Sequence, residues 1–322
     1  MKRIGFIFLA GFFLCGLARA DESVQAAGKF AMPFTQEGGT ARAMSMGSTG
    51  VSMPQGSASL FWNPAGLATQ SWMEIGLHHI SGLGDSNRET SVIGMPLGSL
   101  GGFAASLNYV NNGNFEGRDS IGNQTSNYSA GDMGGSLGWG KQWFPGISGG
   151  VAVKYNRQTL AAQSYSATAL DVGFLWHPVS LLNLGLTYFN LGTKVADTAL
   201  DSGWRGGASY SVRKNMLFAV STELKPGGFD RLQVGAEGFV HSTVAVRVGF
   251  VQSLKSTELT GVTGLTAGLG IRIDKNLMLD YAYLPFGELG VSQRISVTYN
   301  FSNPEPKDNH RLKSPSGPRN HL

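Results

Sequence analysis

Charged side chains that could bind a ligand recur at alternate positions through this chain of 322 residues, of which only 14% are charged. If alternate strand residues face the same side, eleven charged side chains point into one interior of the protein. They are Glu74, Asp171, Glu223, Glu237, Asp280, Lys154, Arg205, Arg213, Arg247, Arg272 and Arg294. Opposite charges in a narrow interior pair with one another or bind the polar group of a ligand. We predict that five of them contact a ligand or an internal plug, and three of these five are arginines on nearby strands. The five are Arg247, Arg272, Arg294, Glu237 and Asp280.

No residue pattern indicates catalysis or metal binding. His78 and His79 are neighbours in a strand and point to opposite sides, and no H-x-x-x-H or G-x-S-x-G sequence occurs. The one cysteine, Cys15, lies within the first twenty residues. We therefore expect a protein that is not an enzyme and has no cofactor, no catalytic residue and no metal site.

The first twenty residues have the features of a secretory signal peptide. Lys2 and Arg3 precede an apolar stretch, and Ala18-Arg19-Ala20 forms a cleavage site. Removal of Lys2, Arg3 and Arg19 from the 25 basic residues leaves 22, against 21 acidic ones, so we expect no nucleic-acid partner. No later apolar run reaches the roughly 18–20 residues of a membrane helix.

From Trp72 onward the sequence alternates with a period of two. In Leu265–Ile273, for example, large apolar residues alternate with Thr266, Gly268, Gly270 and Arg272. The pattern predicts about 14 strands, near 71–80, 88–97, 101–110, 131–143, 147–156, 165–176, 181–190, 203–213, 215–224, 231–240, 243–250, 262–273, 277–284 and 290–301. Alternation alone fits either a soluble sandwich or a membrane barrel.

The lengths of the connections favour the barrel. Connections after even-numbered strands are tiny, such as 144–146 and 274–276, whereas those after odd-numbered strands are longer, up to Asn111–Ala130. Short periplasmic turns opposite long outer loops are typical of outer-membrane barrels, and aromatic residues at strand ends, such as Trp143 and Trp176, are typical of their interfacial girdles. The sequence predicts an all-β transmembrane antiparallel barrel of about 14 strands in a bacterial outer membrane, with both termini periplasmic.

Residues 38–67 lack the alternation and are rich in Gly, Ser and Met. Thr40 can cap a helical turn at Ala41–Met46 and Ser57 one at Ala58–Trp62, while Pro64 ends regular structure or opens another turn. Small residues pack closely against walls on every side, as a plug inside a barrel requires.

The run ARAMSMGSTGV followed by SLFWNPAGLA resembles the N-terminal hatch of the FadL-type outer-membrane transporters and the related PorV/PorQ family. The stretch Leu279–Phe301 is similar to the closing hairpin of PorV/PorQ chains. The resemblance implies a hatch with these gating residues: Asn63, Pro64, Ala65, Arg42, Met44, Met46, Phe61 and Trp62.

Two functions follow from the resemblance. One is passive passage of hydrophobic or amphipathic small molecules, gated by the hatch; the other is a PorV-like partner barrel of a type IX-like secretion system, which binds exported proteins through the loops Asn111–Ala130 and Leu191–Ser202. The expected partners are outer-membrane lipid with either a hydrophobic ligand or a secretion or exported protein. The predicted organisation is a signal peptide (1–20), a periplasmic lead-in and hatch (21–68), the barrel (69–301) and a disordered periplasmic tail (302–322).

Overall fold

A computed structural model describes residues 30–36, 39–53, 55–84, 86–161, 163–213, 215–254 and 263–301. The predicted signal peptide, the first part of the lead-in and the predicted tail lie outside these residues. The strands of the described chain are β1 Glu74–Ser81, β2 Asn87–Pro96, β3 Gly102–Phe115, β4 Tyr128–Phe144, β5 Ile147–Leu160, β6 Gln163–Val179, β7 Leu182–Gly192, β8 Gly203–Arg213, β9 Met216–Lys225, β10 Gly228–His241, β11 Val244–Ser253, β12 Leu265–Arg272, β13 Leu277–Pro285 and β14 Val291–Asn300.

Each strand pairs antiparallel with its sequence neighbours, and β1 pairs with β14, so the sheet closes into a barrel. The prediction of an all-β barrel with 14 strands is confirmed for the described residues. Strands β3 to β6 are longer than predicted at the end of the barrel that carries the long loops. The loop predicted at 111–130 is therefore shortened to 116–127, and Phe115 stacks on Tyr128 where it begins, with ring centroids 5.4 Å apart.

The two faces of the wall differ as the alternation predicts. Large apolar side chains point outward and stay exposed, as Leu107 at 69% and Leu269 at 49% show. The inward positions between them carry small or polar residues, such as Gly268 and Gly270 on β12. A sandwich would bury its apolar faces against each other. This sheet turns its apolar face outward instead.

Residues 39–70, which we call the lumen segment, lie inside this wall. They form helix α1 (Ala41–Ser45) and three short 3₁₀ helices at Gly50–Ser52, Gly56–Phe61 and Pro64–Thr69. Helix α1 contacts β11 to β14, the following turns contact β7 to β9 and β1 to β4, and the last contacts β3 to β6. A segment that touches the inner faces of strands on all sides fills the lumen.

Local signals explain two of its turns and fail at a third. Thr40 caps α1 by accepting a hydrogen bond from the amide of Ala43, and Asn63 caps the turn that Pro64 opens. Ser57 does not cap a helix, contrary to the prediction, because its amide and hydroxyl both donate to the Glu74 carboxylate on β1. A buried carboxylate binds these donors more strongly than the backbone of a turn does.

Residues 30–36 lie at the long-loop end of the barrel. Ala31 pairs with Leu200 in the connection between β7 and β8, and the carbonyl of Phe34 accepts a hydrogen bond from Arg88 at 2.9 Å. Met32 and Phe34 are buried in a cluster with side chains of that end. The sequence predicted a periplasmic lead-in and short periplasmic turns; the structure places residues 30–36 at the end opposite the short turns. The described chain enters the lumen from that end.

Candidate functional site: two cavities divided by the lumen segment

A large polar cavity opens at the short-turn end. Its volume is about 1010 Å³, and its wall includes the turn Asp274–Asn276 together with Glu74, His78 and Arg272. The lumen segment forms its inner side through Thr40, Arg42 and residues 55–58. We call it the short-turn cavity. Trp72, which precedes β1, also lines this cavity.

A smaller cavity of about 370 Å³ lies at the long-loop end. Part of its wall is apolar, formed by Phe34, Ile80, Leu83, Val110 and Phe286. The remaining wall is polar and comprises Arg88, Asn112, Asp132, Gln158, Ser86, Ser292 and Arg294. We call it the loop-end cavity. Its size falls within the range of small-molecule binding sites.

A thin partition separates the two cavities along β1 and β14. His78 and Ile80 are successive inward residues of β1, yet His78 lines one cavity and Ile80 the other. Ser296 and Arg294 divide in the same way on β14. Two residues of a strand span about 7 Å. The cavities therefore approach within about that distance along the wall.

The start of α1 closes this partition. The Ser296 hydroxyl accepts a hydrogen bond from the amide of Ala41 at 2.9 Å and shares another with His78 Nδ1 at 2.8 Å. The ring of Phe61 packs edge-on against His78, with centroids 6.2 Å apart, and touches Gly39 so closely that a Cβ there would lie 3.1 Å from it. The contact between segment and wall at this point depends on neutral groups.

A chain of ion pairs fastens α1 to the wall on the other side. Arg42 binds both oxygens of Glu237 at 2.7 and 2.8 Å, and Glu237 also accepts from Arg247 at 2.6 Å. Arg247 is fully buried and reaches Asp280 at 2.7 Å. Burial opposes the charge on Arg42, but Glu237 more than offsets this and holds the pKa of the guanidinium above its ordinary value. The four charges alternate in sign and tie the segment to β10, β11 and β13.

The structure separates the three arginines that the sequence grouped. Arg247 sits in the ion-pair chain in mid-lumen, whereas Arg294 lines the loop-end cavity. Arg272 is exposed at the rim of the short-turn cavity, where its guanidinium lies 5.4 Å from the ring of Phe239. The alternation correctly predicted that these positions face inward, but it did not predict how far along the barrel axis each of them lies.

The motif Asn63-Pro64-Ala65 fixes the other half of the lumen segment. The Asn63 amide donates to the carbonyls of Val51 and Phe174, each at 2.9 Å, and its oxygen accepts from the amide of Ala65 at 3.1 Å. Pro64 packs directly on Gly150 of β5, where a Cβ would come within 2.4 Å of the Pro64 backbone. One side chain thus joins two parts of the segment to the wall, and the glycine provides the space.

The remaining predicted gating residues lie in an apolar cluster. Met44 and Met46 pack with Trp62, Ala282 and Leu284, and neither methionine lines a cavity. Arg205 stacks over the Trp62 ring at 5.2 Å. These side chains therefore fill the interface between segment and wall.

Sequence reasoning missed three residues that shape the cavities: Arg88, Asp132 and Ser296. All three occupy inward positions of their strands, so strand parity could have found them. Within the described part of the chain, no group of three or more His, Cys, Asp and Glu side chains is placed to hold a metal ion. No helix there is long and apolar enough to cross a membrane.

These features define a class of protein: a closed antiparallel β-barrel whose N-terminal segment occupies the lumen. No protein-family model and no curated protein matches the chain. Solved structures do match, at identities that show the fold alone. The toluene transporter TbuX of Ralstonia pickettii gives a TM-score of 0.59 at 13% identity, over 84% of this chain and 100% of that one.

Two further channels of known structure have the same fold. The toluene transporter TodX of Pseudomonas putida gives a TM-score of 0.59 at 12% identity, over 81% of this chain and 96% of that one. A FadL homologue of Pseudomonas aeruginosa gives 0.55 at 12% identity, over 82% and 98%. The fold relation to FadL-type channels is thus confirmed. None of the three is described as a PorV or PorQ protein or as a secretion partner, and no feature of the described residues favours that alternative.

Proposed function

We propose that the protein is a passive outer-membrane channel for hydrophobic or amphipathic small molecules, with the lumen segment as its hatch. The observation that carries this proposal is the pair of cavities, one at each end of the lumen, with a partition of about two residues between them. A molecule that enters the loop-end cavity needs only a local shift of the hatch to reach the short-turn cavity.

The outer surface supports the membrane location. Its apolar side chains are exposed all round the barrel, and a lipid bilayer covers such a surface as a soluble environment does not. Trp143 and Trp176 mark the short-turn end of this surface and Trp204 and Tyr283 the long-loop end. Aromatic side chains in two bands are typical of the two interfaces of a membrane barrel.

The contacts support a gate in which only one part of the hatch moves. The half that contains Asn63 is held by hydrogen bonds and fits closely onto wall glycines, so it has little room to shift. At the partition, the start of α1 is held by the bond from Ala41 to Ser296 and by the edge of Phe61, while the adjacent Arg42 remains tied to Glu237 on the other side. A ligand that displaces these neutral contacts opens the passage without an energy source.

Removal of the Ser296 hydroxyl tests this arrangement. We expect Ser296→Ala to raise the rate at which cells that carry the protein in a lipopolysaccharide-containing outer membrane take up toluene, because the amide of Ala41 loses its partner and the closed state loses about 0.5–1.5 kcal/mol. Ser221→Ala is the matched control: Ser221 is also a buried inward serine, but it bonds Gln233 within the wall and lines neither cavity. Equal uptake by the wild type and both variants would contradict a gate at the partition.

A further inference from the structure

The loop-end cavity contains a buried oxygen that has no partner. Asp132, an inward residue of β4, is only 4% exposed. Its Oδ2 accepts a hydrogen bond from the Asn112 amide at 3.0 Å, and the side chain of its cross-strand neighbour Gln158 also interacts with the carboxylate, whereas Oδ1 meets no donor at hydrogen-bond geometry within the described residues. A buried acceptor left unsatisfied is costly, so it is an unusual feature for a wall that only has to be polar.

The surroundings of Asp132 limit what can satisfy Oδ1. Its polar neighbours Asn112 and Gln158 lie on the side of the wall, while Phe34 and Phe286 offer no donor and give the cavity its apolar character. The volume of about 370 Å³ leaves room for a molecule of the size of a substituted benzene ring. A ligand that suits both parts of the wall has an apolar body and a single hydrogen-bond donor.

We propose that the loop-end cavity selects neutral, mostly apolar molecules with one hydroxyl group, such as alkylphenols or aromatic alcohols, over hydrocarbons of the same shape. The hydroxyl donates to Asp132 Oδ1, and the apolar body packs against Phe34 and Phe286. This inference rests on the proposed channel function and narrows its substrate class.

Charged ligands fit this site less well. A carboxylate has no proton to donate at neutral pH and meets the negative charge of Asp132. An ammonium group can donate, but it must lose its hydration to enter and then lies in a wall that also contains Arg88 and Arg294. A neutral hydroxyl satisfies Oδ1 without either cost.

The test compares p-cresol with toluene, which share the ring and the methyl group and differ by one hydroxyl. Binding of each to the purified full-length protein in detergent is measured by calorimetry. We expect p-cresol to bind at least about tenfold more tightly, as one hydrogen bond to a charged group allows. In Asp132→Asn, Asn112 holds the amide oxygen and the amide nitrogen faces the cavity, so p-cresol loses its charged acceptor and can only accept a neutral bond; its preference should fall well below tenfold while toluene binding is kept.

A second measurement keeps the test sharp if Asp132→Asn does not fold. On the wild type, 4-methylanisole has the oxygen of p-cresol but no proton to donate, so it should bind no better than toluene. Equal binding of p-cresol and toluene, or anisole binding that matches p-cresol, would overturn the selection and leave the channel standing. Failure of all three compounds to bind, together with uptake through a lipopolysaccharide-containing outer membrane that does not depend on the protein, would instead refute the channel function.

Discussion

The ion-pair chain that joins α1 to the wall makes a quantitative prediction about the lumen segment, the proposed hatch. Glu237 is the central member, because it binds Arg42 of the hatch and Arg247 of the wall at once. Glu237→Gln keeps the shape of the side chain and one acceptor oxygen but removes the charge. Oε2 of Glu237 accepts from both Arg247 Nε and Arg42 Nε, so an oxygen retained there keeps one bond to Arg42, while the bond from Arg42 Nη2 to Oε1 is lost together with the charge.

The size of the effect follows from the geometry. A hydrogen bond to a charged group contributes about 1.5–3 kcal/mol, and Arg42 loses one of its two bonds to Glu237 and the charge that strengthens the other. The Arg42 side chain is 31% exposed, so water replaces part of what is lost. We therefore expect α1 to detach from the wall about 2 kcal/mol more easily, which corresponds to a roughly 30-fold increase in the population of its open state.

Hydrogen exchange measures this opening directly. The amides of Met44, Met46 and Ser48 are bonded within the hatch and exchange when α1 opens, so their exchange should accelerate by about the same factor of roughly 30. Glu223→Gln is the control, because Glu223 is a buried inward carboxylate whose ion pairs are all with strand residues. Unchanged exchange in Glu237→Gln, or equal acceleration in both variants, would refute the idea that these ion pairs hold the hatch.

Two further predictions concern the other half of the hatch and an outer loop. Gly150→Ala should loosen residues 56–69 and lower stability by about 1–3 kcal/mol in chemical unfolding, since the added Cβ meets the Pro64 backbone at 2.4 Å; Gly206→Ala, whose Cβ finds nothing nearer than 3.7 Å, should be close to neutral. Several hydrogen bonds, of which the one from the Asn123 amide has the largest effect, hold the pKa of the exposed Asp119 below its ordinary value of 3.8. A carboxylate whose pKa is lowered by folding stabilises the folded loop at pH values above its ordinary pKa, and this stabilisation is lost as the pH falls through the pKa of the folded state. Hydrogen exchange at the Asn123 amide should therefore accelerate only below about pH 3.8, and no such acceleration should occur in Asp119→Asn.

The wall could be predicted almost completely from the sequence because its rules are local. Every second residue faces the same side, and a turn of a few residues joins neighbouring antiparallel strands, so alternation and connection length together fix strand number and facing. Thr40 and Asn63 were predictable for the same reason, since each caps a turn within three residues of itself. The sheet can then close into a barrel, because the first and last strands each have an unpaired edge and pair with each other.

The internal contacts could not be predicted because they join residues far apart in sequence. Arg42 and Glu237 are 195 positions apart, and their meeting depends on the height at which α1 lies in the lumen, which no local pattern encodes. The same holds for Ser57, whose cap is overridden by Glu74, and for residues 30–36, whose place is set by Leu200 and Arg88. The alternation predicts which side chains face inward, but which of them form pairs depends on how the lumen segment packs inside the barrel.

That distinction resolves an apparent conflict between a polar lumen and an apolar cargo. The inward face of the wall is mostly small, polar or charged, which would suit a hydrocarbon poorly if the lumen were an open tube. Many of its charged side chains, however, form ion pairs with each other or with the lumen segment, as Arg247 does with both Glu237 and Asp280. The apolar lining comes from inward positions that break the small-residue pattern, such as Ile80 and Val110, and from Phe34, which the entering chain brings to the loop-end cavity. On the proposed function, the wall therefore supplies the anchorage of the hatch, and a few exceptional side chains supply the surface that a ligand meets first.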